Sequence, residues 1–349
     1  MTDCKKHYKY ISATKGLLIT LMVIGHSGAP QMIGEPLSLL RMPCFFLISG
    51  FLFKEKYLHD TKQYIYKKVK GLYIPFVKWS FIFLLLHNIF YSANIYSTEY
   101  HYGDFISKTL SILTMTGSER LLGGFWFLKV LLYASIISFL TFKLLTYVKL
   151  RLNLPMLGLC SLFFMFLAFF QSITAFKIPT IGTNTLLATS YFIAGVALHR
   201  VDMLYTNLNK QRIGIILFIT FIISSFFVNG TINCQGYTIF SYYAVSIAAS
   251  ISVIFLTKRL GNRLTEILDY IGKKTLYVLI FHFISFKFVS LVLIFIQNRP
   301  FTDLSAFPVI ENDSSFLWII YSVIGVAMPL LIKNGMDKMA SLYNKDKVQ

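Results

Sequence analysis

Acidic residues are scarce in this chain, and its long apolar runs hold none. The 349 residues include 15 Asp and Glu against 33 Lys and Arg, a formal charge of +18. Charged residues of both signs make up only 14% of the chain, where a soluble domain carries about 25%. Polar stretches are short as well. None is long enough to fold as a separate soluble domain, so residues 1–349 read as one membrane domain. Cysteine is sparse: Cys4, Cys44, Cys160 and Cys234 stand at spacings that fit neither a metal site nor a disulfide framework, and no metal is expected. Cys44 lies in an apolar run and reads as a small buried hydrophobe. There is no internal repeat.

What the chain has instead is apolar residues in separated blocks. They make up 56% of it, with a mean hydropathy of +0.63. Crossing the hydrocarbon of a bilayer takes roughly 20 such residues in a helix. Block lengths predict an all-α, polytopic membrane protein of about ten spans: Ile11–Ser27, Leu37–Phe53, Tyr73–Tyr91, Gly124–Tyr147, Pro155–Gln171, Thr183–His199, Ile213–Val228, Thr238–Thr257, Thr275–Ile296 and Phe316–Ile332. The run Phe105–Met115 is too short to span and is expected on the membrane surface. The first block follows Lys5, Lys6 and Lys9, as a signal peptide would, but Pro30 and the next span read as an uncleaved helix.

Charge distribution tests the count. With a cytoplasmic N-terminus, 24 of the 33 Lys and Arg fall in inward segments. Outward loops hold only Lys108, Arg120, Lys177 and Arg299, and five more lie in or beside spans. That bias follows the positive-inside rule and places both termini in the cytoplasm of a cell-membrane protein. It also accounts for the basic charge without a nucleic-acid partner; the expected surroundings are membrane lipids.

The five intramembrane cations are Lys15, Arg41, Lys78, Lys129 and Lys287, accompanied by His26, His87, His199 and His282. Without an acidic residue in the spans they do not all pair internally. Lys78 and Lys129 either snorkel to the interface or, with the others, line a polar cavity whose anion is a ligand. Orientation puts Lys15 and Lys78 in an inner layer, beside the loop residues Lys67 and Lys68. It puts His26, Arg41 and Trp126 in an outer layer. Lys15 and His26 are eleven residues apart, so on one continuous helix they share a face about 16 Å apart. That length suits a ligand with an anionic end at the cytoplasm and a reactive end deeper in, a shape that coenzyme A has. His26 sits among the small residues Gly25, Ser27 and Gly28, which leave room around an imidazole able to act as a general base. His87 and His199 read as packing or interfacial anchors.

Four runs carry a resemblance. Lys15 to His26 places a basic residue, ten others, then histidine. Arg41-Met42-Pro43-Cys44-Phe45-Phe46-Leu47-Ile48-Ser49-Gly50-Phe51-Leu52-Phe53 forms a second. Gly124-Phe125-Trp126-Phe127-Leu128 is a third, and Ile271-Gly272-Lys273-Lys274-Thr275-Leu276-Tyr277 followed by Phe281-His282 a fourth. In this order they resemble acyltransferase family 3, membrane O-acyltransferases, and within it the fucose 4-O-acetylase-like subgroup. The resemblance implies about ten helices and transfer of an acyl group, usually acetyl, from acyl-CoA to a hydroxyl of a cell-surface carbohydrate. It implies His26 as the catalytic histidine and Lys15 at the family's basic position, where arginine is common. Lysine would grip a phosphate there as a point charge rather than as a fork.

On that expectation acetyl-CoA enters from the cytoplasm as co-substrate, its phosphates held by Lys15, Lys67 and Lys68. A sugar hydroxyl, such as one on a lipid-linked glycan, approaches near Glu35, Arg41 and Trp126. Arg41 either stabilises the developing oxyanion or snorkels. Trp126 either stacks on a sugar face or anchors the interface. His282 either orients a partner and lines the cavity or packs in the core. Ser49 and Gly50 read as close helix packing. Two other classes share these features: an exporter of a glycan intermediate, which the lack of inverted repeats and broken helix pairs disfavours, and a non-catalytic synthase subunit.

Overall fold

In lipid every backbone polar group needs an internal partner, so apolar runs of this length fold as helices. The computed structural model describes residues 2–204, 209–311 and 316–346, with side chains for 9–202, 209–311 and 316–343. The side chains of Cys4, Lys5, Lys6, Lys345 and Lys347 lie outside the described residues. Among the described residues the chain is all-helical, with no strand. Its fourteen α-helices are α1 Thr2–Ile24, α2 Gln31–Phe51, α3 Thr61–Lys68, α4 Ile74–Leu85, α5 His87–Ser92, α6 Tyr102–Leu113 and α7 Trp126–Tyr147, then α8 Leu154–Ile173, α9 Thr183–Leu204, α10 Lys210–Ser224, α11 Thr238–Thr257, α12 Asn262–Gly272, α13 Thr275–Gln297 and α14 Leu317–Asp346. A π-helical turn, Val69–Tyr73, joins α3 to α4, and a 3-10 segment, Arg120–Phe125, leads into α7.

Each of the ten expected spans overlaps a helix, though not over its whole length. Six of the described helical stretches are long and apolar enough to cross a membrane: Gln31–Phe51, Arg120–Tyr147, Leu154–Ile173, Thr238–Thr257, Thr275–Gln297 and Leu317–Tyr343. The other four differ for local reasons. The expected span Tyr73–Tyr91 is interrupted at Leu86, between α4 and α5. α10 has only 15 residues, a length of about 22 Å. α9 is diluted by Thr183, Asn184, Thr185, Thr189 and Ser190, and α1 by its basic residues. The expected surface segment is α6, whose Tyr102, Ile106, Leu110 and Leu113 lie exposed along one stripe.

The chain divides into two compact units. The first comprises Met1–Thr14, Glu35–Pro75 and Phe127–Thr265. Small residues set its packing. A Cβ on Gly50 of α2 would come within 1.8 Å of the Phe192 carbonyl oxygen, and one on Gly195 of α9 within 1.9 Å of the Leu47 carbonyl oxygen, so α2 and α9 meet backbone to backbone. Hydroxyls bind the other helices: Ser161 of α8 reaches Ser190 of α9 (3.2 Å) and Tyr243 of α11 (2.7 Å). Cys44 is fully buried, as expected. Asn153, Asp60 and Asn209 cap α8, α3 and α10 by accepting from the backbone N–H of Met156, Gln63 and Arg212.

The second unit comprises Lys15–Gly34, Phe76–Trp126 and Glu266–Gln349. Gly16 of α1 packs on α12, where a Cβ would lie 1.9 Å from the Leu268 carbonyl oxygen. Gly325 of α14 fits against Phe286 and Val23. Ser322 donates to Ser27 (2.9 Å), and Ser290 shares a hydrogen bond with Tyr321 (2.9 Å).

Candidate active site

In the second unit α1 ends at Ile24, three residues short of the expected limit. Gly25, His26 and Ser27 form a turn closed by His26 N–H to the Val23 carbonyl (3.0 Å) and Ser27 N–H to the Ile24 carbonyl (3.2 Å). Gly28 leaves it at φ +80°, a conformation that glycine adopts without strain. The chain thus unwinds just where the histidine stands. His26 is half-buried and no longer shares one uninterrupted helical face with Lys15, which corrects the spacing argument at its last two residues.

The ring of His26 packs against two residues of α13, with centroids 5.8 Å from His282 and 5.3 Å from Phe283. His282 is fully buried. Its Nδ1 donates to the carbonyls of Val278 (3.1 Å) and Leu279 (3.0 Å). Gly124, in the 3-10 segment, lets that segment approach α13: a Cβ there would meet Leu279 at 2.6 Å and His282 Cε1 at 3.9 Å. Trp126 follows as the first residue of α7 and is 37% exposed. Lys15 lies half-buried on α1 within electrostatic reach of Asp269 on α12, an acidic partner from outside the apolar blocks.

The first unit holds the other expected residues. Glu35 and Arg41 are half-buried on α2, and Arg41 lies within electrostatic reach of Tyr242 on α11. Lys67 and Lys68, at the end of α3, both line a pocket of about 300 Å³ whose walls include Tyr57, Tyr64, Phe53 and Phe192. Lys67 Nζ donates to the Tyr57 hydroxyl (3.0 Å) and stands 5.0 Å from that ring. Lys68 Nζ stands 5.4 Å from the ring of Tyr64 and 5.5 Å from that of Phe192. Burial pushes the Lys68 ammonium down to about 8. No carboxylate lines the pocket. It is a small, cationic, aromatic-walled cleft, which suits a phosphorylated ligand carrying a flat ring.

The structure therefore gathers His26 with His282 in one unit and Lys67 with Lys68 in the other. The sequence reading missed Tyr57, Tyr64, Phe283 and Asp269. The tyrosines were detectable, since Tyr57, Tyr64 and Tyr66 alternate with six lysines in one short inward segment.

Several expected cavity residues have other neighbours. Lys287 is only 3% exposed, and its ammonium donates to the carbonyls of Leu304 (2.9 Å) and Ala306. It ties a 3-10 turn to α13, so a ligand anion is not needed to explain it. Lys78 is exposed and Lys129 half-buried, each beside an aromatic ring, Trp79 and Tyr133, as snorkelling side chains are. His199 packs edge-on against Phe51 (4.8 Å). His87 does more than pack: Nδ1 meets Glu119 Oε2 at 2.7 Å, Nε2 donates to the Thr98 carbonyl at 3.0 Å, and Tyr96 and Tyr100 stack on its ring. No group of three or more His, Cys, Asp or Glu able to hold a metal ion occurs among the described residues.

Helices of this length and polarity, with polar groups held inside them, define a multi-pass membrane protein. Residues 8–333 match the acyltransferase domain of acyltransferase family 3, and the chain belongs to that family: it is a membrane acyltransferase. No curated protein and no solved structure matches it.

Proposed function

We propose that the protein transfers an acetyl or similar acyl group from acyl-CoA to a hydroxyl of a cell-surface carbohydrate, free or lipid-linked, with His26 as general base. The observation that carries this reading is the placing of His26 at the open end of α1, half-buried, beside a second histidine. A sugar hydroxyl attacks a thioester well only if a base takes its proton as the new bond forms. His26 removes that proton and the hydroxyl oxygen bonds to the thioester carbon. The carbon–sulfur bond breaks, and the thiolate takes the proton from His26.

Support for the donor comes from the pocket of Lys67 and Lys68. Lys15, Lys67 and Lys68 bind the phosphates of the donor. Glu35, Arg41, Trp126 and His282 serve the acceptor. The Lys and Arg bias supports a cytoplasmic membrane location with both termini inside. The resemblance of the four runs to the fucose 4-O-acetylase-like subgroup supports acetyl as the group moved.

The test follows thiol release from acetyl-CoA by the purified protein, with a panel of sugars and a His26→Ala control. One acceptor should raise release, and the variant should lose about 10²–10⁴-fold in rate. Full transfer by well-folded His26→Ala protein sinks the base assignment. Neither binding of acetyl-CoA nor thiol release by folded protein sinks the donor and favours an exporter.

A further inference from the structure

The two nitrogens of His282 have opposite roles. A carbonyl only accepts, so the contacts to Val278 and Leu279 fix the proton of the neutral ring on Nδ1. Nε2 then carries the lone pair. It is buried and, among the described residues, has no hydrogen-bond partner. Buried acceptors are almost always met, so one left open beside a reactive centre marks the place of a missing donor.

We propose that Nε2 of His282 accepts a hydrogen bond from a second hydroxyl of the acceptor, on the carbon next to the one whose hydroxyl reacts at His26. The substrate class is then a vicinal diol, and His282 is the residue that selects it. This rests on the reading of His26 as base, because it places the reacting hydroxyl there. The ring centroids of His26 and His282 are 5.8 Å apart, so hydroxyls on adjacent carbons, with their own spacing between them, can each reach a different ring. Phe283 touches both rings, 5.3 Å from His26 and 4.0 Å from His282, and offers an apolar floor for the C–H face between the two hydroxyls. Gly124 brings the 3-10 segment close to the Cε1 edge of His282, where an added Cβ would lie 3.9 Å away. Sites built to hydrogen-bond a substrate hydroxyl reject analogues that lack it, because the buried partner is left unmet. His282 takes no proton in the transfer; it holds the neighbouring hydroxyl and so fixes which hydroxyl faces His26.

The experiment uses the full-length protein, acetyl-CoA and methyl glycosides of hexoses and 6-deoxyhexoses, each with its monodeoxy analogues. NMR of the product identifies the acylated hydroxyl. Deleting one neighbouring hydroxyl should lower kcat/KM by ten- to a hundredfold in the unaltered protein, chiefly through KM. His282→Leu should cost as much on the parent glycoside and nothing further on that deoxy analogue, and His282→Asn, whose amide oxygen also accepts, should recover part of the loss. Equal transfer to the parent and every neighbouring-deoxy analogue overturns the proposal. That comparison needs no variant, so it stands if His282→Leu does not fold. Multiplying losses from the variant and the deletion overturn it too. Failure of the acyltransferase reading looks different: acetyl-CoA then neither binds nor releases thiol with any glycoside.

Discussion

Lys68 shows how one side chain's surroundings set its use. Its ammonium stands between the rings of Tyr64 and Phe192, with no carboxylate in the pocket, and burial lowers it to about 8. Only the protonated form holds a phosphate. Donor affinity should therefore be level below about pH 7 and weaken as pH rises through the lowered value. Titrating the Kd for acetyl-CoA between pH 6 and 9.5, a range set by that value, checks this. Lys68→Gln should weaken binding about tenfold at pH 7 and flatten the profile. Lys68→Arg, which stays charged throughout, should keep the affinity and remove the alkaline loss. The sequence marked Lys67 and Lys68 as donor ligands by their charge and place. It did not mark their aromatic neighbours, because the fold, not adjacency, brings Phe53 and Phe192 to them.

Between elements, the contact of α2 with α9 is set by glycines. Gly50→Ala or Gly195→Ala inserts a methyl group less than 2 Å from a backbone oxygen. The backbones then have to separate, at about 1–3 kcal/mol, and each variant should melt at a lower temperature in detergent. Gly34→Ala, with open space around it, should not. A second joint lies where α9, α10 and α11 meet. The Asp202 carboxylate reaches Lys258 (2.6 Å) and Lys210 (2.7 Å). Its burial pushes the carboxyl up, but hydrogen bonds from both lysines outweigh that and hold it below its ordinary value. Lys258 is pushed down by its own burial, which a carboxylate shared with Lys210 does not offset. Because the folded value of Asp202 lies below the unfolded one, its contribution is complete above about pH 4 and is lost as pH falls through the lowered value. Asp202→Asn leaves two facing cations and should cost about 3 kcal/mol, seen as a lower melting temperature at neutral pH.

For the whole molecule, the expected orientation follows from charge. Reporters fused after Asp346 should be active only on the cytoplasmic side, and an impermeant thiol reagent should label a cysteine placed at Lys108 or Lys177 from outside. Labelling of those positions only after the membrane is opened would reverse the topology. Six of the expected spans were legible as apolar blocks long enough to cross, and the other four meet helices that are short, broken or diluted by polar residues. The break at Leu86 was not legible, because nothing in the run His87-Asn88-Ile89-Phe90-Tyr91 lowers its apolar character enough to end a span. His87 turns instead to Glu119 and Thr98, and that partner lies 32 residues away. The fit of residues 8–333 to one family agrees with motifs spread from α1 to α13.

Composition and block length alone determined that this chain lives in a membrane as helices, because a continuous apolar run of about 20 residues satisfies its own backbone in hydrocarbon as a helix, whereas a barrel needs short alternating strands. The order of four short runs determined the family. Tertiary structure decided what each buried polar group faces. It gave Lys15 an acidic neighbour, tied Lys287 to carbonyls, and unwound α1 before His26. It also set His282 beside His26 with one nitrogen committed and one open. Hydrogen bonds and ring contacts act over a few ångströms, and only folding brings residues 256 positions apart in sequence, such as His26 and His282, within that range.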